Sequence, residues 1–159
     1  MKQRQFFKWI SLVTVIGWSA CTVGIGKSTA IGTGFTDRYW TLTDLTSEPA
    51  LDWDLDGDTE TDILDKLEDC ERDNAIMFSS DHLVREHAGA VQCDEEAGLE
   101  SETGIWEYND ANHTLIVTGE GHEPQLYQVI EAKGDRLVLL YRIEAQNATH
   151  VLTARYAAK

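Results

Sequence analysis

The amino-acid sequence predicts an all-β domain: eight antiparallel strands closed as an up-and-down barrel, with one short helix after the first strand. Three observations point there. From Arg38 onward apolar residues recur mostly at every second position, the period of a strand with one buried face. The apolar runs are joined mostly by tight turn-forming stretches, which suits pairing of consecutive strands. The chain has 159 residues, 42% of them hydrophobic, with five Trp, five Tyr and four Phe. That suits a single domain with a sizeable core and is too apolar for a disordered acidic tail. Closure of the sheet removes its exposed edges.

Each element follows in order. "RYWTLTDLT" (38–46) reads as the first strand, and an acidic stretch follows it. "ILDKLEDC", from Ile63 to Cys70, places Ile63, Leu64, Leu67 and Cys70 along one side of a helix. Asp62 is positioned to cap it, and Asp65 suits the positive end of its dipole. "NAIMFSS" and "HLVREHAGAVQC" form a hairpin around Ser80-Asp81. "ETGIWEYN" and "HTLIVTG" pair across 109–112, and "QLYQVIEA" meets "RLVLLYRIEA" across Lys133-Gly134-Asp135. A turn at Gln146-Asn147 leads into "THVLTARYA". Alternation points Leu137, Leu139, Tyr141 and Ile143 inward, joined by Leu115, Val117, Leu152, Ala154 and Tyr156. A barrel of eight strands either fills with its own side chains or holds one small ligand. Both states stay open at this level.

Ahead of the barrel, Lys2, Arg4 and Lys8 form a positive region, and Ile10 to Ala20 is a short apolar run ending in small residues. This reads as a secretory signal over residues 1–20, too short for a stable membrane span. The run ends in "GWSAC", similar to the lipobox of bacterial lipoproteins, which makes Cys21 the lipidated residue. The plainer alternative is ordinary cleavage near Ala20, leaving Cys21 a stray thiol. Several acyl chains on Cys21 would anchor the protein to a membrane where one chain is marginal. Residues 21–36, rich in Gly, Ser and Thr, read as a flexible tether, and 37–159 as the folded domain. "GIGKST" within the tether is no nucleotide loop: Cys21 stands where the first Gly belongs, and no strand precedes it.

The formal net charge is −15, from 28 acids and 13 bases. Removal of residues 1–20 leaves 28 acids against 10 bases, or −18. Such a surface disfavours nucleic acid and anionic lipid. Cys70 and Cys93 remain, and in an exported chain they either pair, the simpler state, or stay as buried thiols.

"DWDLDGDTETD" (52–62) gathers six carboxylates in eleven positions. Asp52, Asp54 and Asp56 stand at positions 1, 3 and 5 of an EF-hand-like loop, with Gly57 at position 6. Asp58 can offer a carbonyl at position 7 and Glu60 an oxygen at position 9, while Ile63 replaces the expected Glu at position 12. Asp62, one residue early, is the substitute. This hard-oxygen set suits calcium bound weakly. The alternative is a solvated loop leading into a helix cap. "SSDH" (79–82) has residue types used in nucleophilic catalysis, but adjacent residues on a turn cannot form the required line of nucleophile, base and orienter. Ser80 and Asp81 are turn formers, and no enzyme activity is expected. Trp40, Phe78, Trp106, Tyr127 and Tyr141 are candidates to line a ligand cavity, or simply to fill the core.

Taken in order, these pieces resemble a known group. Trp40 in the first strand is followed by Asp56-Gly57-Asp58 and then by a helix ending in "CERDNAIMF". Cys70, Asp73 and Phe78 match a Cys-x-x-Asp and a following Phe, Cys93 a second cysteine, and "GIWEYNDANHTLIV" a Gly-x-Trp strand running into an apolar one. Over roughly residues 36–145 the chain resembles bacterial lipocalin-like domain proteins, small envelope lipoproteins with a calycin-type barrel. The resemblance implies the barrel, a disulfide between Cys70 and Cys93, and a place in the bacterial cell envelope, by expectation at the outer membrane. It implies no particular ligand. The expected function is non-catalytic binding of a small hydrophobic ligand by a lipid-anchored barrel. The alternative is a structural or protein-interaction lipoprotein with a filled barrel and a calcium-ordered acidic loop.

Overall fold

The computed structural model describes residues 34–93 and 98–159. The expected signal at 1–20, the expected lipidation at Cys21 and residues 21–33 of the expected tether lie outside the described residues.

Among the described residues, nine strands form one antiparallel sheet: β1 (Tyr39–Leu51), β2 (Glu60–Asp62), β3 (Ala75–Phe78), β4 (Leu83–His87), β5 (Glu100–Asn109), β6 (Thr114–Gly119), β7 (Gln125–Lys133), β8 (Arg136–Ala145) and β9 (Ala148–Ala158). Pairing of β1 with β9, from Trp40 opposite Ala158 to Glu48 opposite Val151, closes the sheet. The result is an eight-stranded barrel of β1 and β3 to β9, as the alternation predicts. The ninth strand, β2, is a short addition where the acidic segment folds back on the second half of β1, with Asp62 opposite Thr46 and Glu60 opposite Leu51.

Turn chemistry sets the hairpins. Gln146 and Asn147 both take positive φ (51° and 64°), the conformation a two-residue hairpin requires. Gly134 does the same (63°) between β7 and β8. The predicted strand 82–93 ends at His87 instead. There Asp73 Oδ2 accepts the amides of Ala90 (2.5 Å) and Val91 (3.0 Å), which draws the chain off the sheet edge.

The single helix expected over Ile63–Cys70 is replaced by a 3₁₀ turn (Leu64–Lys66) and one turn of α-helix, α1 (Asp69–Arg72). Asp62, Asp65, Glu68, Asp69 and Glu71 would stack as like charges at three- and four-residue spacings along a continuous helix. Breaking at Leu67, which is extended (ψ 145°), relieves this. A reciprocal capping box between Glu68 and Glu71 restarts the helix. Asp62 does not cap a helix; it sits in β2 and accepts the Leu64 amide locally (3.1 Å). Ile63 and Cys70 are nonetheless buried, with Leu64 and Leu67 half-buried, so the apolar side faces the core as the sequence predicts. Cys70 and Cys93 form a disulfide, Cα atoms 5.2 Å apart, which fastens α1 to the segment after β4.

Two apolar clusters occupy the interior. The first, at the end holding the start of β1 and the β3–β4 turn, contains Phe35, Trp40, Phe78, Val84, Trp106, Leu115, Val129, Leu137 and Leu139. The second, at the opposite end beneath the acidic segment, contains Leu45, Leu51, Ile63, Leu152 and Ala154. Phe35, assigned by composition to the tether, is 1% exposed in the first cluster. Its carbonyl accepts the Trp40 indole N–H at 2.8 Å.

Candidate functional site

The five aromatics predicted to line a cavity separate into two groups. Trp40, Phe78 and Trp106 are fully packed with Phe35. Ring centroids lie 5.5 Å apart for Phe35–Phe78, 5.8 Å for Phe35–Trp106 and 6.0 Å for Phe78–Trp106, in tilted or edge-on arrangements. Both indole N–H groups are spent on backbone carbonyls, that of Trp106 on Ser79 O at 2.9 Å. These rings form a solid floor to the barrel.

Tyr127 and Tyr141 are placed differently. The register runs Tyr108 opposite Leu115, Leu115 opposite Tyr127, Tyr127 opposite Tyr141, Tyr141 opposite Leu152, and Leu152 opposite Ser47. Leu115, Leu152 and Ser47 are buried, so the whole row faces inward and belts six strands. Tyr156, opposite both Leu137 and Leu42, joins from the neighbouring row and packs against both clusters. The Tyr127 and Tyr141 rings lie 5.1 Å apart, tilted by 55°. All three tyrosines are only partly buried. Loss of solvent nevertheless raises each phenol, Tyr141 to about 12 and Tyr127 and Tyr156 above the ordinary value. Among the described residues their hydroxyls have no hydrogen-bond partner. This is an apolar interior with three phenolic O–H groups left to offer.

The acidic segment covers the opposite end. The Ile63 amide donates to Leu45 O (2.8 Å), and Gln146 Nε2 donates to the Asp52 carbonyl (2.8 Å), tying the segment to β1 and to the β8–β9 turn. Of the six predicted metal ligands, Asp52, Asp54 and Asp56 bring carboxylate oxygens within 4.8 Å of one another. Asp58 and Asp62 stand outside that group. Glu60 lies across Lys66, whose ammonium contacts Glu60 (2.8 Å), Asp54 (2.9 Å) and Asp56 (3.4 Å). Glu60 and Asp54 hold the Lys66 ammonium well above its ordinary value, and Lys66 in turn lowers Asp54. The chain thus supplies its own cation to the cluster. The donor set fits a hard divalent ion, which has to compete with that ammonium.

"SSDH" is built into the β3–β4 turn. The Ser79 hydroxyl donates to Asp81 and accepts from Arg85, and His82 Nδ1 donates to Trp106 O at 3.2 Å. An open groove of about 360 Å³ crosses the β5–β6 pair, lined by Glu102, Gly104, Ile105, Thr118, Gly119 and Glu120. It is too open to remove a ligand from water.

Two buried polar residues escaped the sequence reading. Ser47 and His150, each 3% exposed, converge on one carbonyl: Ser47 Oγ donates to Pro49 O at 2.8 Å, and His150 Nδ1 donates to the same oxygen at 3.1 Å. His150 alternates with Leu152 and Ala154 in "THVLTARYA". That spacing was the available signal.

A family model described as a lipocalin-like domain matches residues 38–139. No curated protein and no solved structure matches the chain.

Proposed function

Because the chain belongs to the lipocalin-like domain family, whose members are generally non-catalytic binding proteins, we propose that its barrel takes up one small hydrophobic ligand. The ligand lies between the aromatic floor and the acidic cover. The observation that carries this reading is the inward belt of Tyr127, Tyr141 and Tyr156, desolvated yet only partly buried, with hydroxyls that have no partner among the described residues. An apolar enclosure with a few convergent polar groups and perturbed titration is how a small-molecule site is recognised. The ligand body gains from burial, at roughly 25 cal/mol per Å² of apolar surface, and the phenols orient it.

The test is a fluorescence titration with the neutral apolar dye N-phenyl-1-naphthylamine. Saturable enhancement at one dye per chain, weakened about tenfold in Tyr141→Ala, supports the reading. An unenhanced dye, or one bound equally well by Tyr141→Ala, counts against it.

We further infer that Cys21 carries the lipid that holds the protein at the cell envelope. The support is the basic n-region, the apolar run and "GWSAC"; mass spectrometry of the protein extracted from membranes tests it. A second reading, a structural lipoprotein whose acidic segment is ordered by calcium, is favoured by the Asp52–Asp54–Asp56 grouping and by Asp52 Oδ1, buried without a partner among the described residues. Calcium raising the melting temperature without any dye binding would favour it.

A further inference from the structure

We propose that Ser47 and His150 form the polar recognition end of the barrel and select a ligand that brings its own hydrogen-bond donor, a hydroxyl or N–H group. This rests on the reading of the barrel interior as a binding site. The argument begins at Pro49. Its carbonyl oxygen can only accept, so His150 Nδ1 carries the proton and Nε2 presents a lone pair. The Ser47 hydroxyl spends its proton on the same carbonyl, so its oxygen also has only lone pairs left. Both side chains are more than nine-tenths buried. Nε2 has no hydrogen-bond partner among the described residues.

The pair faces the interior. His150 shares its strand face with the buried Leu152 and Ala154, and stands opposite Ile143, which packs on the cluster beneath the acidic segment. Ser47 stands opposite Leu152, within the tyrosine belt. A buried acceptor without a partner is unfavourable until something donates to it. Two acceptor side chains held on one carbonyl repel a carboxylate or phosphate and give an ether nothing to bind. A hydroxyl or N–H satisfies them. A metal is the weaker occupant, because neither acidic or thiol grouping among the described residues includes His150. The ligand this geometry fits has an apolar body along the tyrosines and a donor head beneath the cover.

The test uses displacement of N-phenyl-1-naphthylamine by three probes of equal chain length: n-decanol, decyl methyl ether and decanoate. The expected result is that decanol competes about tenfold better than the ether and better than decanoate. In His150→Phe the alcohol's advantage should shrink below about twofold. Nitrogen NMR of the wild-type protein provides a readout independent of any variant's folding: the Nε2 resonance should move with decanol and stay in place with the ether. If the dye binds but decanol and ether compete equally, or decanoate wins, the recognition proposal is overturned while the barrel reading stands. If the dye and all three probes fail to bind, both are overturned together.

Discussion

Trp40 does two jobs at the floor of the barrel: it fills volume, being 0% exposed, and it ties down the segment before β1 through Phe35 O. Trp40→Ala should therefore cost about 4 kcal/mol in a denaturant titration. A loss below about 1 kcal/mol would mean that the floor rings are not packed as described. Gly89 has a different constraint, since a Cβ there would collide with the Asp73 carboxylate. Gly89→Ala should loosen the hold of Asp73 on the Ala90 and Val91 amides, read as faster hydrogen exchange at those two positions. Single residues were legible only where their neighbours shared a pattern. Tyr127, Tyr141 and Tyr156 stand in clean alternation, whereas Phe35 sits among glycines, serines and threonines that carry no period. His150 had the alternation, but a lone polar residue in a strand was not recognised as a core position.

Among the elements, the acidic cover is held by few apolar anchors, chiefly Leu51 and Ile63, and by the Lys66 ammonium. Lys66→Met leaves Asp54, Asp56 and Glu60 to repel one another, so limited proteolysis within 52–62 should accelerate, and added calcium should slow it again. No acceleration would show that Lys66 is a spectator. Turns and edges set the response to acid. The Arg85 guanidinium and the Ser79 hydroxyl hold Asp81 well below the usual carboxylate range, and the Ala90 and Val91 amides lower Asp73. A carboxyl with a lowered folded pKa adds stability above its unfolded value, near 3.9, and loses it as pH falls toward the folded value. Stability should therefore decline below about pH 4, and the decline should be smaller in Asp81→Asn. At the alkaline end the sign reverses: phenols raised by burial favour the fold below their unfolded value, near 10, and oppose it as pH climbs toward the Tyr141 value of about 12. The strands were legible because their period is imposed by the pleat. The helix was not, because side-chain period reports which face is buried and says little about charge crowding along the backbone.

For the whole molecule, barrel closure was the most legible property, since alternating runs joined by tight turns have few other ways to hide two sheet edges. What the mouth does was not legible, because the cover is assembled from residues far apart in the chain. The Cys70–Cys93 bridge, spanning 23 residues, was by contrast expected from the family resemblance, and it fastens α1 to the segment after β4. Replacing both cysteines by Ser should lower stability by about 3 kcal/mol in a denaturant titration. The most direct question put to the molecule is where an apolar ligand sits. Methyl NMR during titration with N-phenyl-1-naphthylamine answers it. Leu42, Leu45, Ile143 and Leu152 inside the barrel should shift and saturate together, while the exposed Ile105, Leu126 and Ile130 stay unmoved. Shifts confined to those exposed methyls, or none anywhere, would place the ligand outside the barrel and end the case for an interior site.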